Sequence, residues 1–98
     1  SFQGTASWTN FGLGSCGWIN SNSEMVTGVS PGAMSDKTKC GACAIVTGDS
    51  GQIGKSVKVK IVDTCMGCGD SDLNLSCTVF EALGYSTDVG HVQVSWQF

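Results

Sequence analysis

The chemistry available to this chain lies first in its six cysteines. Cys40 and Cys43 form one Cys-x2-Cys pair, and Cys65 and Cys68 form another, with residues 44–64 between them. Two such pairs at this separation approach a zinc-ribbon spacing, in which four thiolates hold one metal tetrahedrally. Three features weigh against zinc. Cys16 and Cys77 stand outside the pattern, and an even six suits three disulfides. The chain lacks the excess of basic charge common in nucleic-acid-binding ribbons. Its strand and helix patterns are more extensive than a metal-nucleated module needs. The expectation is three disulfides and no metal, and residue types alone do not choose the pairing. Each bridge adds about 2–4 kcal/mol, mostly by restricting the unfolded chain. Disulfides also imply an oxidising compartment, most simply outside the cell.

Other reactive side chains are few. His91 is the single histidine, with no catalytic cysteine pattern around it, and is expected to be a surface or half-buried structural residue. Asp63 follows the strand pattern of residues 55–63, where Val57, Val59 and Ile61 alternate with Lys58, Lys60 and Val62. Strict alternation puts Asp63 on the apolar face. A carboxylate there is either a groove residue or a buried, hydrogen-bonded one.

The elements that must position these groups are short. The chain has 98 residues, the size of one domain, and residues 1–98 are expected to form it. A chain this short buries about two thirds of its unfolded surface, so covalent help is expected. A hydrophobic fraction of 41% with 13% charged residues describes a folded chain. Fourteen glycines and one proline point to a loop-rich β architecture. Residues 2–9 read as a first strand, with Ala6 and Trp8 on one face. A glycine loop spans 12–17, and a short strand spans 25–29. Ser30 and Pro31 open a short helix as cap and first helical residue. Residues 42–47 form an apolar strand, and Gly48 to Gly51 carry a turn signal before strand 55–63. Ser76 caps a helix with Val79, Phe80 and Leu83 on its apolar side, and Gly84 stops it. Strand 91–98 places Val92, Val94, Trp96 and Phe98 on one face. About six strands and one real helix make a small β-barrel.

Composition also excludes functions. Formal net charge is −3, all five cations are lysines, and arginine is absent. A nucleic-acid binder would need a basic stripe and arginine forks, so that class is excluded. Without a basic amphipathic helix, a membrane-surface role fails too. No apolar run approaches the roughly 18 residues of a membrane span. The chain opens with Ser1 rather than Met, which fits a leader already removed, and nothing in it reads as a signal or transit peptide.

Several segments together carry a resemblance. They are Gly4-Thr-Ala-Ser-Trp8, Gly14-Ser-Cys-Gly-Trp18, Met25-Val-Thr-Gly-Val-Ser30, Cys40-Gly41 and Val59-Lys-Ile-Val-Asp-Thr-Cys-Met-Gly-Cys68. Asp72-Leu-Asn-Leu-Ser76 before a helix with Phe80, and Gly90-His-Val-Gln-Val-Ser-Trp96, complete the set. In order and spacing the chain resembles, nearly end to end, a six-stranded double-psi β-barrel of the expansin and barwin superfamily. It looks most like the single-domain fungal loosenins. The resemblance implies a fold like the catalytic domain of family 45 endoglucanases and the first domain of plant expansins. It implies a secreted protein that binds cell-wall polysaccharide, cellulose, related glucans or chitin, and loosens it without detectable cleavage. A monomer without cofactor is expected. The second, carbohydrate-binding domain of full-length expansins has no counterpart before Phe98, so binding is expected from the barrel's own groove. The resemblance further implies Cys16–Cys40 and Cys65–Cys68 disulfides, with Cys43–Cys77 as an added pair.

Groove residues carry over one by one. Asp63 matches the aspartate that ends the central strand in expansin-like barrels. Ser7 matches a hydroxyl residue on the first strand. Asn74 stands where the family's most important acid is expected, in a Leu-Asp-Leu-Ser-type motif. An asparagine cannot act as a general acid. Inverting glycoside hydrolysis needs two carboxyl groups about 6.5–9.5 Å apart, so Asp63 loses its expected partner. Asp72 lies two residues away, on the same face if the segment is extended, as a possible substitute. The expectation is a non-lytic protein with no catalytic residue. Asn74-Leu75-Ser76 is also a glycosylation sequon, expected to be unused because a glycan would block the groove. Among the aromatics, Trp18 and Tyr85 are expected to contact sugar, and Trp8 and Trp96 to lie in the core. Two other readings compete: a protein-binding module such as a cysteine-protease inhibitor or effector, and a weak endoglucanase.

Overall fold

The computed structural model describes residues 1–49 and 55–98. Among the described residues there are six strands: β1 Phe2–Trp8, β2 Val26–Val29, β3 Cys43–Gly48, β4 Ser56–Thr64, β5 Leu73–Leu75 and β6 His91–Gln97. They close into a barrel in the order β1-β5-β2-β4-β3-β6. The β1–β5 and β2–β4 pairs are parallel, and the others are antiparallel. This is the mainly β, six-stranded barrel with short helices that the sequence leads one to expect. The turn signal at 48–51 runs into residues outside those described.

Alternation builds the walls. In β4, Val59 and Ile61 point into the core while Lys58 and Lys60 face out. In β6, Val92, Val94 and Trp96 are buried. Trp96 donates its indole N–H to the Ser71 carbonyl at 2.8 Å, which satisfies its polar atom. Phe98 lies past the strand end, edge-on to Trp96 and 46% exposed. Helix α2, Cys77–Ala82, starts where the Ser76 hydroxyl accepts from the Val79 N–H. Its Val79 and Phe80, with Leu83, are fully buried in the core. Each such residue contributes about 1.5–3 kcal/mol. Gly84, at φ 98°, ends it. Helix α1, Pro31–Met34, is capped by Ser30, whose hydroxyl accepts from the Ala33 N–H. It ends in three successive non-glycine residues in the left-handed region: Ser35, Asp36 and Lys37, at φ 55°, 55° and 67°. Each such residue costs of order 1 kcal/mol.

Two expectations are corrected here. The parity of Asp63 changes because β4 carries a bulge. Thr27 pairs with Ile61, but the next residue, Gly28, pairs with Asp63. Val62 is the extra residue, buried but outside the core cluster. Asp63 therefore leaves the apolar face and sits half-exposed beside Gly28. The cysteine pairing changes too. Cys16–Cys40 and Cys65–Cys68 are bonded, with Cα atoms 5.7 and 5.3 Å apart. Cys43 and Cys77 carry free thiols instead of the expected third bridge. Cys43 opens β3, which lies across the six-stave ring from β5, and Cys77 follows β5. Its side chain faces solvent, so it cannot meet Cys77 at the short Cα separation a disulfide requires. Three of the four ribbon-spaced sulfurs are consumed in disulfides, so the zinc pattern is not assembled.

Non-reducing peptide mapping should therefore find the 16–40 and 65–68 links. Thiol titration should count two free groups, with Cys43 reacting first in the native protein. The double variant Cys16→Ser/Cys40→Ser should lose about 3 kcal/mol in denaturant unfolding, because that bridge closes a loop with a sequence separation of 24.

Candidate functional site

The register places distant residues in one row. Ser7 of β1 pairs with His91 of β6 on one side and with Asn74 of β5 on the other. Gly28 of β2 then pairs with Asn74 and with Asp63 of β4. The row crosses five staves. At 4.7–4.9 Å per strand it runs about 19 Å, with about 10 Å between the Asn74 and Asp63 backbones. The flanking residues Ala6, Leu73, Leu75 and Val92 are buried, so the row's polar side chains face outward.

An open depression of about 530 Å³ lies over the first part of this row. One side is formed by Thr5, Ser7, Asn74 and His91, and the other by the Cys65–Cys68 loop with Met66. The Ser7 hydroxyl donates to Asn74 Oδ1 at 2.9 Å. Asn74 Nδ2 donates to Cys65 Sγ at 3.4 Å. Both ends of the amide are thereby oriented, and an aspartate could not make the second contact because an ionised carboxylate only accepts. Asp72 lines the same depression, but its carboxylate is tied to the backbone. Oδ1 accepts from the Thr5 N–H at 2.9 Å and Oδ2 from the Gly69 N–H at 3.2 Å. Asp72 thus braces β1 against the disulfide loop and is held as an acceptor.

Asp63 faces a neighbouring depression of about 460 Å³, which shares Thr64 and Met66 with the first. Its Oδ1 accepts from the Ser15 and Thr64 N–H groups, both at 2.8 Å. Its Oδ2 has no protein donor among the described residues. The Ser15 contact depends on Gly14. A Cβ there would stand 2.6 Å from the Val62 carbonyl, so the loop can lie on β4 only with glycine.

Of the sequence-named residues, Ser7, Asp72 and Asn74 share the groove, and Asp63 borders it. Two others stand elsewhere. Trp18 does not line either depression: Lys60 Nζ lies 4.5 Å from its ring centroid, and Gly41 packs against it. The Cys16–Cys40 bond draws this loop onto the barrel's flank. Tyr85 is 8% exposed and packs in the core, its ring tilted against Phe80 with centroids 5.8 Å apart. Its hydroxyl end lies over Gly48, where a Cβ would approach to 2.6 Å. Trp96 is core as expected, and half-buried Trp8 donates to the Thr87 carbonyl at 2.9 Å. His91 and Met66 were missed as groove residues. Alternation along β6 does point His91 outward, but only the β1–β6 register sets it beside Ser7. In the sequon, Asn74 is engaged at both ends and Ser76 is fully buried as the helix cap.

The barrel has close structural likenesses. An Asp-to-Asn variant of Clavibacter michiganensis expansin in complex with cellohexaose superposes with TM-score 0.84 and 30% identity, over 98% of this chain and 48% of that one. A Streptomyces papain inhibitor superposes with TM-score 0.78 at 18% identity, over 98% of this chain and 93% of that one. At that identity the likeness concerns the fold alone. In sequence, ripening-related protein 6 of Oryza sativa subsp. japonica is 34% identical over 84 residues, covering 82% of this chain and 49% of the relative. Ripening-related protein 5 is 29% identical over 90 residues, covering 79% and 32%. The chain spans about half or less of the length of these curated relatives. No family model matches. The architecture is the expansin-like double-psi β-barrel.

Replacing Gly14 by alanine should lower stability by about 1–3 kcal/mol, because the Val62 carbonyl is backbone and cannot move aside. Thermal unfolding of Gly14→Ala beside the wild type measures this.

Proposed function

We propose that this protein is a secreted, monomeric, non-hydrolytic polysaccharide-binding protein that loosens cell-wall polysaccharide, as the fungal loosenins it resembles do. The observation that carries the reading is the open groove over the Ser7–Asn74 pair, on a barrel similar to an expansin solved with cellohexaose. The groove offers what a sugar chain needs. Hydroxyls of Thr5 and Ser7, the Asn74 amide, the His91 imidazole and the Asp72 carboxylate present donors and acceptors, and the Met66 side chain adds an apolar surface. A glucan lying across the strands exchanges chain–chain hydrogen bonds for protein–chain ones, which separates it from its neighbours. Such exchange needs no cofactor.

The same groove is poorly equipped for hydrolysis. Asn74 supplies no proton, and Asp72 is braced by two backbone N–H groups. Asp63 is then the one carboxylate of the expected pair. An aspartate-to-asparagine change is compatible with bound cellohexaose in this fold, as the expansin complex illustrates. Cellulose and related glucans are the favoured ligands, and chitin is the comparison.

A depletion assay on insoluble cellulose and chitin tests the proposal. The wild type should leave the supernatant with cellulose. Asn74→Leu should bind roughly tenfold more weakly, having lost about 1–1.5 kcal/mol of hydrogen bonding. No new reducing ends should form. Absence of depletion on both matrices would overturn the reading and favour a protein-binding module. Release of reducing ends would make it an endoglucanase.

A further inference from the structure

We propose that the outer face of β3 and β4 binds an acidic polysaccharide, a polymer with carboxylates on successive sugars, at a surface separate from the groove. Formal net charge is −3, yet three of the five lysines gather here. Lys58 and Lys60 take successive outward positions on β4, both exposed, with Cα atoms about 7 Å apart. Cys43 pairs with Lys60, while Ile45 pairs with Lys58 on one side and with Gln97 of β6 on the other. These three neighbours are exposed, and none carries a carboxylate. Lys39 joins the face from the turn before β3, its Nζ 4.6 Å from the centroid of the Phe98 ring.

The cations have no counter-charge of their own. Among the described residues, no carboxylate lies within ion-pair distance of Lys39, Lys58 or Lys60. Asp49, four residues beyond Ile45, accepts from the Ser95 hydroxyl. Asp70 borders the same depression as Lys39 without forming an ion pair with it. On an open sheet, lysines guard an edge strand against pairing with another chain. This barrel is closed, so β3 and β4 are paired on both sides and there is no edge to guard. Like charges side by side repel each other, and a bound polyanion relieves that repulsion.

The groups present select the occupant. A neutral glucan gains little from ammonium groups, whereas a polyuronate brings them carboxylates. Two exposed rings supply the contact with sugar. Trp18 is 40% exposed, with the Lys60 Nζ 4.5 Å from its centroid, and Phe98 is 46% exposed beneath Lys39. Cation–π attraction holds each ammonium beside its ring, so positive charge and apolar surface are presented together, as an acidic sugar requires. A nucleic acid fits less well, because arginine is absent and lysine meets phosphate as a point charge without a bidentate fork. An acidic protein would need a buried aromatic anchor at the centre of the interface, and here both rings stand at the margins.

Titration calorimetry of the protein with polygalacturonate tests the proposal. The wild type should bind in about 10 mM salt and lose about tenfold in affinity by about 100 mM, as the Debye length falls from about 30 Å to about 10 Å. Lys58→Gln/Lys60→Gln should bind about tenfold more weakly at the lower salt, while its depletion on cellulose stays within about twofold of the wild type. Lys58→Arg/Lys60→Arg keeps the charge and should keep the binding. Both pairs of substitutions are at exposed positions, and thermal unfolding checks that the fold is intact. Excess cellohexaose should not displace the polygalacturonate. No binding at the lower salt, no loss in the glutamine variant, or displacement by cellohexaose would overturn the proposal. So would single-stranded DNA binding as tightly as polygalacturonate, since the face would then be a general polyanion surface. Failure of the wild type to deplete on cellulose would remove the groove reading alone and leave this surface standing.

Discussion

The structure depends on where three residues, Leu73–Leu75, are inserted. As β5 they run parallel to β1 and antiparallel to β2, and so close a ring that would otherwise have two open edges. Their parity is decisive. Leu73 and Leu75 are buried in the core, and Asn74 between them is the residue left to face outward. The strand is too short to hold itself. Its stability comes from both neighbours' ladders, from two buried leucines and from the Thr27 hydroxyl, which donates to the Asn74 carbonyl at 3.0 Å. A hydroxyl buried this deeply must find an acceptor, and this one finds it on the strand that closes the barrel.

That insertion explains why the groove is ordered although loops form much of it. Ser7, Asn74 and Asp63 stand on strands, so their spacing is set by the hydrogen-bond ladder. The loops are then fastened to this frame. Asp72 ties the disulfide loop to β1, and Cys65–Cys68 shortens the loop's excursion. Cys16–Cys40 secures the long connection between β1 and β2, whose Gly14–Ser15 corner reaches Asp63. A chain of this size has too little core to immobilise such loops by burial alone. Covalent bridges and buried hydrogen bonds take that part, and two thiols remain outside the scheme because nothing in the topology brings them together.

The chemistry of the groove follows from which side chains the frame presents. It offers hydroxyl, amide, imidazole and carboxylate groups around a thioether, in a surface depression that crosses the strands. On the proposed reading, these groups hold a neutral polymer by many weak contacts. Hydrolysis by inversion needs two carboxyl groups poised across one bond, whereas Asn74, fixed between Ser7 and Cys65, presents an amide that supplies no proton.

The sequence by itself determined the features whose causes are local. The alternation in residues 55–61 and 91–96, the Ser30-Pro31 and Ser76 caps and the Gly84 stop are set by neighbours within a few positions. The structure has them where they were expected. Resemblance added the double-psi form of the barrel and three disulfide pairs, two of which the structure has, because it carries information about order along the whole chain. Tertiary structure alone decided the rest. Ser7 and Asn74 meet across a sequence separation of 67 residues, and His91 joins them through a third strand. The parity of Asp63 departs from strict alternation because a bulge is a response to the partner strand, invisible in the bulged strand's own pattern. Tyr85 lies in the core and Trp18 outside both depressions for the same reason: an aromatic ring lies where it finds contact, and Lys60, Gly41, Phe80 and Gly48 come from other elements. Short-range preference chooses each strand and cap, whereas register and closure choose which side chains share a surface.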